Sequence, residues 1–309
     1  MDVSIVMINY NTFDLTKDAI NSIKEYTKDI NYEIILIDNL SPDGSGDKLN
    51  ELFGDEIIYI QSGGNLGTSK AFNIGAKKAR GKYVLWINTD ILIKENFIKK
   101  LYDFMEKNPS CGICGGNLVD FKGNPTHSFK RYLPNAKTIK KEKGLLYIKN
   151  FNKNNVKKSL EYNYTGKPLE VGYITGADMM IRSSLFEEIG YFNEKIFMYA
   201  EETDFTFRAK KAGYSVYSVP DAIMYHLEGA SMGSKAFSVN RFKFGNNGLC
   251  IYLYDNYGKA EVLKYLHICL KKYKKFRFIY KLLGKKDKAS EYYLRINVIK
   301  EKLKEVKYE

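Results

Sequence analysis

Short apolar runs alternate with amphipathic segments over about the first 120 residues of the chain. Residues 4–8, 33–37 and 57–60 are runs of strand length, and polar residues follow each of them. Between the first two runs, residues 15–26 carry apolar side chains at helical spacing, and a further helix is expected at about 68–79. This order predicts βαβ units, and therefore an α/β fold with a Rossmann-like, mostly parallel sheet flanked by helices.

The run Tyr83–Ile87 is followed by three polar residues, Asn88, Thr89 and Asp90. The run is short, continuous and rich in aromatic and β-branched residues, which is typical of a buried parallel strand. The carboxyl end of such a strand lies at the edge of the sheet where open α/β folds bind their ligands. A carboxylate held there can bind a divalent cation that bridges the phosphates of a nucleotide.

Two other strand ends carry polar residues. Asp38 follows the run 33–37, where its carboxylate could accept hydrogen bonds from a base or a ribose, or cap the next helix. The loop 63–67 holds three glycines and precedes a helix, so its backbone could approach a phosphate or ribose closely. It matches neither the Walker loop nor the dinucleotide fingerprint, and a tight turn that needs glycine explains it equally well.

A second candidate site follows the apolar residues 196–198. Three carboxylates, Glu201, Glu202 and Asp204, fall within four positions, and a helix is expected to begin there. Such crowding is costly unless a cation or a proton-transfer role compensates for it. A solvated acidic helix start is the alternative, but the apolar flank favours a functional role.

Histidine and cysteine could also bind a metal. His226 ends the strand-like run 222–226, and a structural role and a role as metal ligand are about equally supported once Asp90 is considered. Cys111 and Cys114 have the spacing of a metal or redox pair. No second pair follows at zinc-site spacing, so we expect two small residues that face the core.

The composition is that of a soluble globular protein, because 44% of the residues are hydrophobic and 28% are charged. No apolar run approaches the roughly 18 residues needed to span a bilayer. The chain begins with a strand-like run and not with a signal-peptide core. We therefore expect a cytoplasmic location, and the inner face of the membrane is a candidate position within it.

The net charge of +13 is concentrated near the C-terminus, where residues 259–309 contain 16 Lys and Arg but only 6 Asp and Glu. The chain from residue 240 onward is expected to be helical, basic and aromatic. Residues 273–283 mix cations with aromatic side chains, which indicates either a surface-seeking amphipathic helix or a solvated helix packed on the catalytic domain through its aromatic face. The charge motivates the hypothesis of a peripheral contact with an anionic membrane.

Residues 137–167 are Lys- and Asn-rich and are expected to form a mobile excursion.

Taken in order, these segments resemble family-2 glycosyltransferases of the GT-A fold, particularly the bacterial rhamnosyltransferase-like branch. The resemblance covers about residues 2–255. The matching segments are residues 6–11, 37–41, 65–67, 73–75, 88–90, 174–177, 201–208 and 212–214, together with His226, Gly229 and Ser231. It implies a catalytic GT-A domain over residues 1–238, with residues 239–309 as a helical, basic C-terminal region.

The resemblance also implies a role for each candidate residue. Ile8, Tyr10 and Asp38 would hold the base and ribose of a nucleoside-diphosphate sugar, linked to dTDP or UDP. Asn65 and Lys70 would lie near the ribose and the diphosphate, with Asn88 and Thr89 beside them. Asp90 would bind Mn²⁺ or Mg²⁺, and His226 would be a second protein ligand or would contact the diphosphate.

On the acceptor side, the resemblance implies an inverting transfer to a hydroxyl group of a glycan, lipid-linked or protein acceptor. Glu202 occupies the position at which the family usually has its catalytic Asp, and Glu201 and Asp204 would orient the acceptor and the loop. Two departures stand out, because Asn88 replaces the first Asp of the metal motif and the base position carries Glu. The second departure leaves open which of the three acids is the base.

Two other functions remain as alternatives. Sugar-phosphate nucleotidyltransferases also bind nucleotides and Mg²⁺, but they have a glycine-rich loop with Thr-Arg after the first strand, where this chain has residues 9–12. A nucleic-acid-binding protein could use the basic, aromatic C-terminal region. The acidic cluster would repel phosphates in the absence of a metal, so no nucleic-acid partner is expected.

Overall fold

The computed structural model describes residues 1–142, 161–227 and 237–308. The chain divides into two compact units, and each is described by itself. The first unit contains Met1–Leu133, Lys157–Phe197 and Glu201–Ser234. The second contains Pro134–Val156, Met198–Ala200 and Lys235–Glu309. The domain boundary predicted from the sequence, after residue 238, stays a prediction.

The first unit is built on a mixed sheet whose strands and helices alternate along the chain. Its strands are β1 (Val3–Asn9), β2 (Tyr32–Asp38), β3 (Ile58–Gln61), β4 (Tyr83–Ile87), β5 (Ile91–Leu92), β6 (Cys111–Val119), β7 (Phe129–Lys130), β8 (Leu169–Glu170), β9 (Tyr173–Ile174), β10 (Asp178–Arg182) and β11 (Ser215–His226). Its helices are α1 (Phe13–Tyr26), α2 (Ser45–Phe53), α3 (Gly67–Lys78), α4 (Phe97–Lys107), α6 (Ser184–Ile189) and α7 (Glu201–Lys211), while α5 (Ala136–Glu142) belongs to the second unit.

The strand order in the main sheet is β3-β2-β1-β4-β10-β6-β11-β5, and β8 pairs with β11. Strands β1 to β4 are parallel to one another, whereas β10 runs antiparallel to both β4 and β6. Strands β7 and β9 form a separate two-stranded sheet. Strands β6 and β11 are parallel to each other as well, so β1, β2, β3, β4, β6 and β11 all run in one direction and end at the same edge.

Two apolar cores cover the two faces of this sheet. One core joins the inward residues of α1, α2 and α4 to the sheet, and the other joins those of α3, α6 and α7. Alternate residues of β1 contribute to opposite cores, as Ile5 does to the first and Val6 to the second. Burial on both faces explains why the strands read as continuous apolar runs in the sequence. The α/β fold with helices on both sides of the sheet is confirmed.

The second unit contains α5 and three longer helices, α8 (Val239–Tyr257), α9 (Lys259–Leu282) and α10 (Lys286–Tyr308). The helical character expected from residue 240 onward is confirmed. Within this unit, Glu261 of α9 accepts a hydrogen bond from the backbone of Ala136 at 2.6 Å. That contact gives a physical reason for α5, a helix that the sequence does not signal within the predicted excursion 137–167.

No helix in the described ranges is long and apolar enough to cross a membrane. Residues 143–160, which form most of the predicted excursion, lie outside the described residues. So does the Gly- and Ser-rich loop that follows His226.

Candidate functional site

Asn9 is a buried hydrogen-bonding centre at the end of β1. Its side-chain amide donates to Asp38 Oδ1 at 2.8 Å, to Ser41 Oγ at 3.0 Å and to Ser45 Oγ at 2.9 Å. Its side-chain oxygen accepts from the hydroxyl of Thr12 at 2.8 Å and from that of Thr16 at 3.0 Å. The strand register explains the contact with the neighbouring strand, since Asn9 pairs directly with the last residue of β2.

Asp38 lies at this edge and is only 2% exposed. Besides the bond from Asn9, its carboxylate accepts from the Ser41 hydroxyl at 2.5 Å and from the Ser41 backbone at 3.0 Å. Helix α2 also begins against it, because a Cβ added to Gly46 would lie 2.2 Å from the carboxyl carbon. The fold therefore fixes the orientation of Asp38 through its own hydrogen bonds, and only glycine leaves room at the start of α2.

The residue after β2 holds the glycine-rich loop in place. Asn39 Oδ1 accepts from the backbone of Leu66 at 3.0 Å, and Asn39 Nδ2 donates to Asn65 Oδ1 at 3.2 Å. The side-chain oxygen of Asn65 also accepts from the backbone of Gly67 at 3.3 Å. Since the oxygen of Asn65 is engaged, its amide nitrogen is the group left to donate on an exposed side chain.

Gly67 begins α3 and cannot carry a side chain there. Its φ is +76°, and an added Cβ would lie 2.2 Å from the backbone oxygen of Phe197. The same oxygen accepts from the backbone of Thr68 at 2.7 Å. Lys70 lies in the first turn of the helix, where it is exposed, and no acid lies in that turn. The backbone N–H groups of Leu66, Gly67 and Thr68 all donate within the chain, so the exposed Lys70 is the group at the start of α3 that suits an anionic ligand.

The polar residues after β4 lie beside the end of β1. Thr89 is 5% exposed, and its hydroxyl lies 3.4 Å from that of Thr12. Asn88 is half-buried, and its backbone donates to Ala177 at 3.2 Å. The carboxyl ends of β1, β2 and β4 are thus joined by side-chain contacts, as the sequence predicts for a ligand-binding edge.

Asp90 and His226 form a buried pair. Asp90 Oδ1 lies 3.3 Å from His226 Nε2, and the two side chains are 3% and 12% exposed. The backbone holds them together, because Leu227 donates to Asp90 O at 2.8 Å and β11 pairs with β5 at His226 and Ile91. Residues that are far apart in sequence therefore supply one carboxylate oxygen and one imidazole nitrogen side by side.

This pair fits a metal that is shared with a bound nucleotide. In the described part of the chain, no group of three or more His, Cys, Asp or Glu side chains could hold a metal ion. Mg²⁺ commonly takes one or two protein ligands and completes its shell with substrate phosphates and water. Carboxylate oxygen and imidazole nitrogen also suit Mn²⁺. The donor set thus matches an ion that binds together with a diphosphate and not one in an all-protein cage.

Asp178 is a buried carboxyl group that the sequence analysis missed. It is 0% exposed, and its Oδ2 accepts from the backbone of Gly116 at 2.6 Å. Its Oδ1 has no hydrogen-bond partner among the described residues. Burial raises the pKa of Asp178 to about 7, against smaller lowering effects of the Gly116 hydrogen bond and of the charge on His226. Asp178 follows the segment 174–177 and pairs with Ile87 at the end of β4.

The acidic helix start places its three carboxylates in three different environments. Glu201 is 3% exposed, and its Oε2 has no hydrogen-bond partner in the described ranges. Burial, and then the charge of Glu202, raise the pKa of Glu201 well above its usual value. Asp204 is 2% exposed and accepts from Arg208 Nε at 3.0 Å. Glu202 is half-buried and accepts from the Thr203 hydroxyl at 3.3 Å.

Arg208 makes Asp204 part of the scaffold. Its guanidinium also donates to the backbone oxygens of Ile189 at 2.6 Å and Tyr191 at 2.8 Å. The Asp204–Arg208 pair thus ties α7 to the segment after α6. Glu202 is the member of the cluster that is only partly buried, so it is the most exposed of the three acids.

The backbone enters α7 through an unusual conformation. Tyr199 has a φ of +67° and Ala200 a φ of +79°. Left-handed geometry costs a residue other than glycine about 1–2 kcal/mol. Two consecutive residues of this kind, directly before a cluster of acids, are typical of strain held at a functional site.

Other candidate residues lie as follows. Ile8 is half-buried on β1, and Tyr10, just past the strand, is 40% exposed. Cys111 and Cys114 are both buried in β6, as expected of core residues, and burial raises the pKa of each thiol. Asn9 and Asn39 were missed as well, although a polar residue at the end of an apolar strand was a signal in each case.

Comparison with known proteins supports the resemblance. The sequence model described as "Glycosyl transferase family 2" matches residues 4–190. The chain is 29% identical over 228 residues to the low-salt glycan biosynthesis hexosyltransferase Agl10 of Haloferax volcanii, which covers 72% of this chain and 66% of that protein. It is 24% identical over 231 residues to the dTDP-rhamnosyl transferase RfbF of Shigella flexneri, covering 74% and 70% of the two chains. The match to Agl10 thus spans just under two thirds of that relative.

A solved structure with the same fold is that of GalNAc-T7 with UDP, GalNAc and Mn²⁺. The TM-score is 0.54 at 16% sequence identity, over 73% of this chain and 44% of that chain. At this identity the likeness shows the fold alone. The prediction of a GT-A fold is confirmed.

Proposed function

The chain belongs to glycosyl transferase family 2, and on that premise we propose that it transfers a sugar from a nucleoside-diphosphate donor to an acceptor hydroxyl group. One observation carries the proposal: β1, β2 and β4 end together at one edge, where Asp38, Thr89 and Asp90 are all buried. The same unit contains the acidic start of α7. A nucleotide site and a proton acceptor are the two parts that such a transfer needs.

The nucleoside binds, in this proposal, at the ends of β1 and β2. Tyr10 is exposed and offers an aromatic surface to the base, with Ile8 beside it. Asp38 is held in one orientation by Asn9 and Ser41, so it meets the base or ribose without a change of rotamer. This preorganisation lowers the entropic cost of binding.

The diphosphate lies near the start of α3, beside Asn65, Lys70 and Asn88. The ammonium group of the exposed Lys70 and the amide nitrogen of the exposed Asn65 can both donate to phosphate oxygens. Asp90 and His226 would hold Mn²⁺ or Mg²⁺, which neutralises the charge that develops on the departing nucleoside diphosphate.

Glu202 removes the proton of the acceptor hydroxyl as that oxygen attacks the anomeric carbon. The bond from the anomeric carbon to the diphosphate oxygen breaks as the new glycosidic bond forms, which inverts the configuration. Asp204 is committed to Arg208, and burial raises the pKa of Glu201 and opposes its charged form, so Glu202 is the best placed of the three to accept a proton. Asp204 and Glu201 act by positioning the start of α7.

For the donor we propose dTDP-rhamnose first and a UDP-linked hexose second. The first follows the likeness to RfbF and the second the likeness to Agl10, a hexosyltransferase. A glycan, lipid-linked or protein acceptor in polysaccharide or glycoconjugate synthesis is consistent with both.

A thermal-shift screen of nucleotide sugars with Mn²⁺ tests the proposal. We expect one nucleoside-diphosphate sugar to raise the Tm by several degrees, and its nucleoside diphosphate to do so as well. Transfer to an acceptor is then followed by release of that diphosphate. Absence of a shift with every dTDP- and UDP-linked sugar, in the presence of Mn²⁺ or Mg²⁺, would contradict the proposal.

Replacement of Asp90 tests the metal pair separately. Asp90→Ala should weaken Mn²⁺-dependent binding of the nucleoside diphosphate by about tenfold or more, because a carboxylate ligand is lost. Electron paramagnetic resonance of Mn²⁺ gives a readout that does not require turnover. Asp18→Ala, which changes an exposed aspartate on α1, is the control and should bind as the wild type does. Equal Mn²⁺ affinity of the Asp90 variant and the control would remove Asp90 from the metal site.

A further inference from the structure

The aromatic face of the C-terminal helices is largely occupied inside the second unit. Phe276 and Tyr280 of α9 stack with Tyr292 of α10, at centroid distances of 5.4 and 5.5 Å. Tyr273 is only 7% exposed and contacts Tyr292 as well. These rings hold the α9–α10 hairpin together. These rings therefore pack against α10 of their own unit, whereas the sequence pattern predicted them either at a surface or against the catalytic domain.

Large apolar side chains remain at the tip of the same hairpin. Phe278 is 63% exposed, Leu282 is 72% exposed and Leu283 is 61% exposed. Phe278 and Leu282 are four residues apart on α9 and therefore lie on the same side of the helix. The chain turns at Gly284, whose φ is +66°, and α10 begins two residues later. Single exposed leucines are ordinary, but three large apolar residues at one turn mark an interaction surface.

Cations surround this apolar tip. Residues 271–290 contain nine Lys and Arg and a single acid, Asp287. Lys274, Lys275 and Lys281 lie three or four positions from Phe278, so they flank it on the helix surface. Within the described ranges these three lysines form no ion pair with a carboxylate. The charge is therefore available to an external partner.

We propose that the tip of the α9–α10 hairpin docks on an anionic lipid bilayer. Phe278, Leu282 and Leu283 enter the boundary between headgroups and acyl chains, and the lysines contact anionic headgroups. Apolar insertion and electrostatic attraction reinforce each other at such an interface, since each apolar residue removes surface from water and each nearby lysine gains from the surface potential. The charge favours this occupant over an apolar protein surface, where the lysines would lose hydration without a counter-charge.

Sedimentation with vesicles tests the proposal on the full chain. We expect the wild type to bind vesicles that contain phosphatidylglycerol and to bind phosphatidylcholine vesicles much more weakly. The double variant Leu282→Asp, Leu283→Asp should lower partitioning to anionic vesicles by about 100-fold or more, because two leucines that enter the bilayer are lost. Lys274→Gln with Lys275→Gln should lower it by about tenfold and weaken its salt dependence.

The matched control is Leu52→Asp, which changes a leucine of α2 that is 52% exposed in the first unit. It should bind vesicles as the wild type does. A Leu283→Trp variant gives a second readout, because the single natural tryptophan, Trp86, is 4% exposed and changes little in the presence of lipid. We expect a blue shift of the new fluorescence on anionic vesicles only.

Three results would overturn the proposal. The tip variant could bind anionic vesicles as tightly as the Leu52 control, or the tryptophan at position 283 could show no shift on them. Alternatively, the wild type could form dimers in solution that the tip variant abolishes while vesicle binding is absent. Circular dichroism spectra that match the wild type show that the variants remain folded.

Discussion

Asp38 and Glu201 are both almost fully buried carboxyl groups in the same unit, yet they differ in how well they are satisfied. Asp38 accepts three hydrogen bonds, from Asn9 and from the side chain and backbone of Ser41. Glu201 has an oxygen without a partner among the described residues, and its pKa is raised well above the usual value. Both acids are buried, but Asp38 has hydrogen-bond donors around its carboxylate, whereas burial opposes the charged form of Glu201.

The carboxyl group of Asp38 is preorganised for binding, whereas that of Glu201 is held at a cost in stability. A carboxylate with several donors is a fixed part of a binding surface, ready for a nucleoside. A buried carboxyl that lacks donors lowers stability once the pH favours its ionisation, and such groups persist mainly at functional sites. Asp178 belongs with Glu201 in this respect, because only one of its oxygens has a partner among the described residues. The left-handed backbone of Tyr199 and Ala200, which directly precedes Glu201, lowers stability further.

Glu201→Gln should have the largest effect on stability. The unfolded carboxyl ionises near its ordinary pKa of 4.5, whereas the folded one retains its proton to a much higher pH. The unfolded state therefore binds fewer protons, and each pH unit above about 4.5 costs the wild type about 1.4 kcal/mol of unfolding free energy. The variant lacks this loss, so urea titrations should show a difference in unfolding free energy between the two proteins that is absent at pH 4 and grows as the pH rises from there.

For Asp178→Asn, the difference in unfolding free energy between variant and wild type should grow with pH and then become constant. The pKa of Asp178 rises from 3.8 to about 7, so the wild type loses stability between these values and no further above them. The difference in unfolding free energy reaches about 4 kcal/mol at most, because each pH unit between the unfolded and the folded pKa contributes about 1.4 kcal/mol. The asparagine keeps an acceptor for the backbone of Gly116. A plateau above pH 7 in this variant would sharpen the comparison, and stability curves of wild type and variant that run parallel over the whole pH range would break it.

Asn9→Ala tests the hydrogen-bond network that surrounds Asp38. It removes the donor of Asp38, Ser41 and Ser45 and the acceptor of two threonine hydroxyls. We expect a loss of about 3 kcal/mol in unfolding free energy, because buried polar groups lose their partners. Nucleoside diphosphate binding, measured by calorimetry, should weaken as well.

The control for this change is Asn50→Ala, at an exposed position on α2. Its stability should lie within about 0.5 kcal/mol of the wild type. A similar effect of the two substitutions would mean that the network around Asn9 contributes little.

The sequence predicted the elements of the parallel sheet well, because strands buried on both faces are continuous apolar runs. It also identified Asp38, Asp90 and His226 as strand-end residues, and the structure brings Asp90 and His226 within 3.3 Å. The sequence did not distinguish which of Glu201, Glu202 and Asp204 is the catalytic base. Their differences arise from Arg208 and from burial, which depend on how α7 packs.

Asp178 and α5 were missed for a similar reason. Asp178 is the first residue of the short strand β10, and its environment follows from the pairing with Ile87 and the hydrogen bond from Gly116. Helix α5 lacks an apolar periodicity, and its first residue is held by Glu261, more than a hundred positions away. Neither contact can be deduced from local spacing.

The most direct test of the central claim is single-turnover transfer with the donor found in the screen, measured for Glu202→Gln and Asp204→Asn. Glu187→Gln, at an exposed position on α6, is the control. We predict that Glu202→Gln binds the donor normally but lowers the rate by about 10²–10⁴-fold, as loss of a general base does, while Asp204→Asn retains most of the rate. An unchanged rate in Glu202→Gln together with loss of the rate in Asp204→Asn would contradict the assignment of Glu202 as the base.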